Sequence, residues 1–454
     1  MESTQNNKAN TFPQEEVLAP TATTRPPAPT AHAPFSRRSF LGVAGVAAAT
    51  LALGPALLGC SSAASDPKAA GAPELDYADW PAVLAAAKGQ SVSWYGYGGS
   101  KDRNAWIKET LAPTLKEKYD ITLDLVGMNI NDILTQLSGE MQAGAKTGSI
   151  DFIWINGENF FSTRENGYLF GPFTENLPNF KNYIDAQSPE VAYDFGAPTG
   201  GFEAPYAKAQ MQLWVDGAKI TETPKNPAEF KAFCAAHQGR VSYPEPGDFV
   251  GTAFISSLIA GVIGTENFEK LSRMNAPEAS EVKQIIDPGL AYLRELNPLL
   301  WKAGATFPAD AATVSTMYAD GELVMNMGYG APEPLVKNKT LPETTRSFIF
   351  DTGTVGNSNF MAIAKNAPHK AAALVAINEV ISPEMQLSQY ENLANISVLD
   401  MAKLSEEQRR AFEAVPLGTT QLPLSDLQQH RIVEASGPAI PLIEQLWLDE
   451  VMGK

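Results

Sequence analysis

The sequence predicts an α/β protein whose sheet is largely parallel and carries helices on both faces. Residues 91–95 form a short strand-like run, and residues 121–126 alternate between apolar and polar side chains as a strand does. Residues 102–119 and 130–144 have the apolar spacing of helices. The third strand, 150–155, is almost wholly apolar, which is typical of a strand covered on both faces. This β-α-β-α-β order favours a parallel sheet between two helical layers.

A second α/β region is predicted after residue 217. It contains a helix at 227–237, a strand at 240–244, an apolar helix at 252–264 and a strand at 322–329. Residues 346–364 are predicted to be extended chain, a turn and a strand, with a helix beginning near Pro368. The tail, residues 396–454, is predicted to be helical and interrupted by prolines.

Composition excludes several classes of protein. The chain has 454 residues and is 44% hydrophobic, so it can bury a large core and is too apolar to be disordered. The net charge of −17 repels phosphate backbones, which argues against nucleic-acid binding. The two cysteines cannot form a disulfide framework, and Cys234, within a predicted helix, is expected to be a buried, unreactive thiol.

The first 59 residues have the order of an export signal. Residues 1–35 are rich in Thr, Pro and Ala and are predicted to be an unfolded leader. Arg37 and Arg38 then precede an uncharged stretch that ends at Cys60. The paired arginines resemble a twin-arginine signal, and the sequence LLGC ending at Cys60 resembles a lipobox, in which the cysteine becomes the lipidated N-terminus.

Cleavage before Cys60 would leave 395 residues. Residues 60–75 are small, polar and interrupted by Pro and Gly, and are predicted to be a flexible tether from the lipid to the folded body. An uncleaved membrane helix is the alternative, because about 18 apolar residues can span a bilayer.

Candidate ligand-binding residues follow the strands of the first region. In open α/β sheets ligands bind beyond the carboxyl ends of the strands. Tyr97 follows the first strand, and Asn156, Glu158 and Asn159 follow the third. Trp94 is expected either to contact the ligand or to pack in the core, and the alternative role of Asn156 is to cap the next helix.

Further candidates lie in the second region and at its borders. Asp248 precedes the apolar helix and is expected either to bind the ligand or to cap the helix. If Thr252 begins that helix, its free N–H groups could receive an anionic group of the ligand. Comparable strand ends and connecting segments hold Tyr206, Gln210, Tyr243, Tyr329, Asn357 and Asn359.

The excess of aromatic and acidic residues at these loops favours an organic cation, such as a polyamine or a thiamine-like amine. A ferric ion bound by tyrosines and a sugar stacked on Trp remain open. No cofactor is expected.

Four motifs occur in order along the chain: WINGENF, EAPYAKAQ, YPEPGDFVGTAF and GNSNFMAI. Together with the export signal they resemble the YnjB-like solute-binding proteins of bacterial ABC importers, from about residue 90 to the C-terminus. The resemblance implies a two-lobed type II periplasmic-binding-protein fold with two crossover strands, near 200–213 and 346–358, and a ligand cleft between the lobes. The expected division is 76–200 and 350–395 for lobe 1, 201–349 for lobe 2, and 396–454 for a C-terminal helical segment.

The same resemblance implies a monomeric lipoprotein at the outer face of the cytoplasmic membrane that hands a small solute to an importer permease. One loop departs from the family pattern. In the family this loop often reads Tyr-Pro-Arg-Pro-Pro-Asp, whereas this chain has Glu245 in place of the arginine. An acidic side chain at the cleft would shift the ligand preference away from anions.

Two other functions compete with the receptor interpretation. A secreted hydrolase finds little support, because the chain has neither a G-x-S-x-G nor an H-E-x-x-H motif. A glycosidase needs only two carboxylates, which Glu158 and Asp248 could supply, so this alternative stays open. A scaffolding lipoprotein without a polar cleft is the third possibility.

Overall fold

The computed structural model describes residues 75–453. The strands are β1 Ser91–Gly96, β2 Thr122–Gly127, β3 Phe152–Ile155, β4 Leu169–Phe170, β5 Tyr193–Asp194, β6 Ala197–Pro198, β7 Glu203–Asp216, β8 Met325–Tyr329, β9 Thr345–Phe348, β10 Thr354–Ala364 and β11 Arg431–Val433. The helices of the first half are α1 Trp80–Ala87, α2 Lys101–Trp106, α3 Ala112–Tyr119, α4 Ile130–Gln142, α5 Gly157–Glu165, α6 Pro178–Tyr183, α7 Pro189–Ala192 and α8 Pro227–Ala236. The remaining helices are α9 Phe249–Ile263, α10 Thr265–Ser272, α11 Ala279–Leu296, α12 Ala311–Ala319, α13 Glu333–Lys337, α14 Lys370–Val380, α15 Pro383–Leu393, α16 Glu406–Glu413, α17 Leu424–Gln429 and α18 Ile440–Trp447.

The predicted parallel β-α-β-α-β unit is present. Strands β2, β1 and β3 lie side by side in that order, and β1 is parallel to both neighbours. The predicted helix at 102–119 is α2 and α3 joined by a π-helical turn at Ile107–Leu111. Pro113, at the start of α3, has no N–H to donate to the preceding turn, which accounts for the local change of hydrogen-bond pattern.

The buried apolar residues fall into two cores, and two long antiparallel strands belong to both. Strand β7 contributes Ala204 to the first core and Met211 to the second, and β10 contributes Ile363 to the first and Val355 to the second. These are the two expected crossover strands, in a mixed sheet ordered β2-β1-β3-β10-β7-β8. The exact lobe boundaries given above stay a prediction.

The C-terminal segment contributes to both cores. Residues from Ile396 to Leu427 pack in the first core, whereas those from Ile432 to Trp447 pack in the second. Between them, β11 pairs in parallel with β10. The tail therefore runs beside a crossover strand on its way from one core to the other.

Residues 240–244 do not form the predicted strand, so this prediction is wrong. The segment is buried and extended, but its backbone makes single hydrogen bonds with separate segments instead of a ladder. The Arg240 carbonyl accepts from Val324 N–H at 2.9 Å, and the Val241 carbonyl accepts from Trp301 N–H at 2.8 Å. Pro244, which has no N–H, follows directly.

The export signal, Cys60 and nearly all of the tether lie outside the described residues. Between residues 75 and 453, no helix combines the length and apolarity needed to span a bilayer. Cys234 is fully buried, as predicted, and burial raises the pKa of its thiol.

Candidate ligand-binding cleft

A polar cleft of about 480 Å³ opens between the elements of the two cores. Its wall on the side of the first core comes from residues 100–103 and 391–396, and its wall on the side of the second core from residues 329–337. The crossover strands form the floor. Four of the predicted candidates line this cleft: Tyr206, Gln210, Tyr329 and Asn359. The amide nitrogen of Gln210 already donates to the Thr354 hydroxyl and the His430 carbonyl.

Arg103, which the sequence did not single out, occupies the wall of the first core. Its guanidinium donates to the Tyr97 carbonyl at 2.7 Å and to the Tyr206 hydroxyl at 3.4 Å, and lies 5.4 Å from the ring centre of Trp154. Tyr97 itself is about half exposed beside the cleft. Trp94 is buried against Phe152. Of the two roles expected for it, Trp94 therefore has the one in the core.

The loop after β3 contacts Asp194 through Gly157. Its φ of +60° is in the left-handed region, which glycine adopts without strain, and its N–H donates to the carboxylate of Asp194. Asn156 stands at the N-cap position of α5, but its side chain makes no capping hydrogen bond. Glu158 is exposed and Asn159 half-buried.

Glu434 is the centre of a polar network that includes Tyr329 of the cleft wall. Its carboxylate accepts from Asn357 Nδ2 at 3.0 Å and from the Tyr329 hydroxyl at 3.5 Å. Burial raises the pKa of Glu434 to about 7, although the Asn357 hydrogen bond and the charge of Arg431 oppose the shift. Burial likewise raises the pKa of Asp194 to about 8.

Asp194 and Glu434 both line a second cavity, of about 20 Å³, together with Asn357. A cavity of that size holds one water molecule or one ammonium group. Sequence reasoning missed both carboxylates, because each lies in a short segment without a recognisable motif. The two are brought together by the tail and by the β5–β6 hairpin, which are far apart in sequence.

An ion network lies where the crossover strands meet the tail. Glu190 pairs with Lys208 at 2.6 Å and with the guanidinium of Arg431. Arg431 also donates to the carbonyls of Ala209 in β7 and Asn357 in β10, at 2.9 and 2.6 Å. This network ties α7, β7, β10 and β11 together.

Two predicted ligand residues are not available to a ligand. Tyr243 is fully buried in the second core and its hydroxyl accepts a hydrogen bond from Trp447 at 3.2 Å, so its assignment was wrong. The reason is that residues 240–244 are not a strand that ends at the cleft. Thr252 is also buried, and its hydroxyl donates to Glu444 at 2.7 Å.

Asp248 has the capping role that was the alternative for it. Helix α9 begins at Phe249, and the Asp248 carboxylate accepts from the N–H groups of Val250 and Gly251 at 2.9 and 3.1 Å. Because these N–H groups are occupied, the expectation that they receive an anion is wrong. Phe249 is half exposed and stacks on Tyr329, with 4.7 Å between ring centres.

Glu203, at the start of β7, is a buried carboxylate near Asp194. Neither of its oxygens has a hydrogen-bond partner within residues 75–453. Burial raises its pKa well above the usual range, and the charge of Asp194 raises it further. Folding therefore favours the protonated acid, and the free energy of unfolding should fall as the pH rises above about 4.

Glu203→Gln is expected to make this fall shallower and to raise the free energy of unfolding at pH 8 by about 1–2 kcal/mol, since no buried charge is then left unpaired. Urea denaturation at pH 5 and pH 8 measures both effects. The exposed Glu165→Gln is the matched control, and an unchanged pH dependence in Glu203→Gln would contradict the argument.

Two cores joined by two crossover strands, with a polar cleft between them, define the class of two-lobed solute receptors. Residues 110–414 match the family of bacterial extracellular solute-binding proteins, and the chain belongs to this family. Protein YnjB of Escherichia coli strain K12 is 33% identical over 342 residues, which cover 74% of this chain and 86% of YnjB. The expected YnjB-like resemblance is thereby confirmed.

Solved structures with the same fold include two from other bacteria. The spermidine/putrescine substrate-binding protein PotD from Streptococcus pneumoniae has a TM-score of 0.57 and 13% identity, with 80% of this chain and 99% of PotD covered. The maltose-binding protein MalE from Listeria monocytogenes has the same TM-score and identity, with 80% and 93% covered. They confirm the type II periplasmic-binding-protein fold.

The family consists of binding proteins of ABC transporters and not of enzymes, so the hydrolase alternative is not favoured. Among residues 75–453, no three His, Cys, Asp or Glu side chains lie close enough together to hold a metal ion.

Proposed function

We propose that this solute-binding protein is a lipid-anchored receptor and that its solute carries an organic cationic group. The observation that supports this ligand class is the pair of buried carboxylates, Asp194 and Glu434, which line a small cavity that Tyr329 connects to the cleft through its hydrogen bond to Glu434. Tyr206, Tyr329 and Asn359 line the cleft that the solute would enter. Tyr97, Asn156, Glu158 and Asn159 remain proposed contacts beside it.

The carboxylates of Asp194 and Glu434 are both buried. A carboxylate removed from water is costly unless a cation or several hydrogen bonds compensate it. Glu434 has two hydrogen-bond partners and Asp194 has one, and both have raised pKa values. A bound ammonium group would lower this cost, and the stacked rings of Phe249 and Tyr329 offer a face that attracts positive charge.

The proposed mechanism is hinge closure about β7 and β10. A solute that contacts both lobes stabilises the closed state only to the extent that it binds that state better than the open one. The closed receptor would then dock on the importer permease as a monomer.

The test is a thermal-shift screen of the exported chain with amines, amino acids, sugars, carboxylates and metal ions. A solute at 100 times its dissociation constant adds about 2.7 kcal/mol to the free energy of unfolding, so a ligand is easily detected. Amines should raise the melting temperature. A response to neutral sugars or carboxylates alone would contradict the cation assignment while keeping the receptor function.

Lipid anchoring is proposed from the lipobox-like sequence before Cys60. Tp0655 of Treponema pallidum, described as a lipoprotein, has a similar fold with a TM-score of 0.52 and 15% identity.

Cys60→Ser is expected to move the protein from the membrane fraction to the soluble fraction of the extracytoplasmic compartment, because no lipid can be attached. Fractionation with immunodetection measures this, with Cys234→Ser as the control. A Cys60→Ser protein that stays in the membrane would favour the uncleaved helix.

A further inference from the structure

We infer that the solute is a zwitterion, with an anionic group bound by Arg103 and an ammonium group bound at Asp194 and Glu434. The inference rests on the proposed function and adds a second charge to the solute.

Arg103 is a cation in the cleft wall. Within residues 75–453 no carboxylate lies within salt-bridge distance of its guanidinium, which uses two N–H donors for the Tyr97 carbonyl and the Tyr206 hydroxyl. A guanidinium has five donors, so three remain, and their planar arrangement suits a carboxylate or a phosphate. The contacts with Tyr97, Tyr206 and Trp154 hold the group in place before a ligand arrives.

The other basic side chains of the cleft are already paired. Lys208 lies 2.6 Å from Glu190, and Lys337 lies 3.5 Å from Glu333. Arg103 is therefore the basic residue of the cleft wall whose charge an incoming anion can balance. Arg103 is the basic pole of the site. Asp194 and Glu434 form its acidic pole, because they line a cavity large enough for one ammonium group.

Each pole is in contact with a side chain that lines the same cleft. The Tyr329 hydroxyl donates to Glu434 at 3.5 Å, and the Tyr206 hydroxyl accepts from Arg103 at 3.4 Å. A solute that carries both charges can therefore engage both poles from this cleft, whereas a simple amine engages only the acidic one. The chain length of the zwitterion that binds best then reports the separation of the poles.

The experiment compares matched probes by calorimetry on the exported chain. The probes are 4-aminobutanoate, 5-aminopentanoate and 6-aminohexanoate, with the amine and the carboxylate of each chain length, together with α-amino acids. At least one zwitterion should bind more than about tenfold tighter than the amine of equal length, which corresponds to about 1.4 kcal/mol. Arg103→Gln should remove that advantage, because it lowers the affinity for the zwitterion far more than the affinity for the amine.

Arg103→Lys should restore part of the preference, since it keeps the charge but loses the planar donors. Arg410→Gln, on the exposed surface of α16, is the control for a lost arginine, and melting temperatures report whether each variant folds. Equal binding of amine and zwitterion, or no binding of any zwitterion at 10 mM as a rough upper limit, overturns the inference. Amine binding in that case would leave the proposed function standing, whereas binding of sugars alone would remove the cation assignment as well.

Discussion

Glu434→Gln is expected to weaken the binding of a cationic solute by about 30- to 100-fold, or about 2–3 kcal/mol. The amide keeps the shape of the side chain, and its oxygen can still accept from Asn357, but the negative charge is lost. Because the buried carboxylate is itself costly, the ligand-free variant should be at least as stable as the wild type. Calorimetry with the amine or zwitterion that binds best gives the affinity.

Glu407→Gln, on the exposed surface of α16, is the matched control and should bind normally. The pH dependence gives a second measurement. As the pH falls through about 7, Glu434 takes up a proton and the wild-type affinity for a cation should fall, by up to about tenfold per pH unit. Glu434→Gln should show a shallower fall. Wild-type affinity in the variant at every pH would place the cation elsewhere.

Arg431→Met is expected to lower the free energy of unfolding by about 3–5 kcal/mol. Its side chain is 4% exposed, and its guanidinium binds Glu190 and the carbonyls of Ala209 and Asn357. Without it, two carbonyls lose their donor, Glu190 keeps only Lys208, and the charge that opposes the raised pKa of Glu434 is gone. Urea denaturation at pH 7 measures the change.

Arg431→Lys separates charge from geometry. It should recover part of the stability, because an ammonium can pair with Glu190 but cannot reach two carbonyls with a planar fork. Arg410→Met, which breaks only an exposed pair with Glu406, should cost less than about 1 kcal/mol. A loss below 1 kcal/mol in Arg431→Met would mean that the network contributes little to the fold.

The elements that the sequence predicted well are those governed by local periodicity. The alternation in β2, the apolar run in β3 and the helical spacing of α4 each reflect a face that the same segment buries. The prediction of a strand at 240–244 was wrong because the sequence of a short, mostly buried segment does not specify which partners its backbone will find.

The candidate site was predictable only in part. Tyr206, Tyr329 and Asn359 were placed by the rule that ligands bind at strand ends and by the family resemblance. Asp194 and Glu434 were not, because a single acidic residue in a turn or a tail carries no signal. Their importance arises from burial, and burial here depends on contacts between segments more than 200 residues apart.

The passage of the tail from the first core to the second, beside β10, constrains the motion that captures the solute. The tail is a third connection between the two lobes, and it must bend together with β7 and β10 when the cleft opens. The segment that makes this third connection also carries Arg431 and Glu434. A change in the hinge would therefore be felt directly by the ion network and by the buried carboxylate.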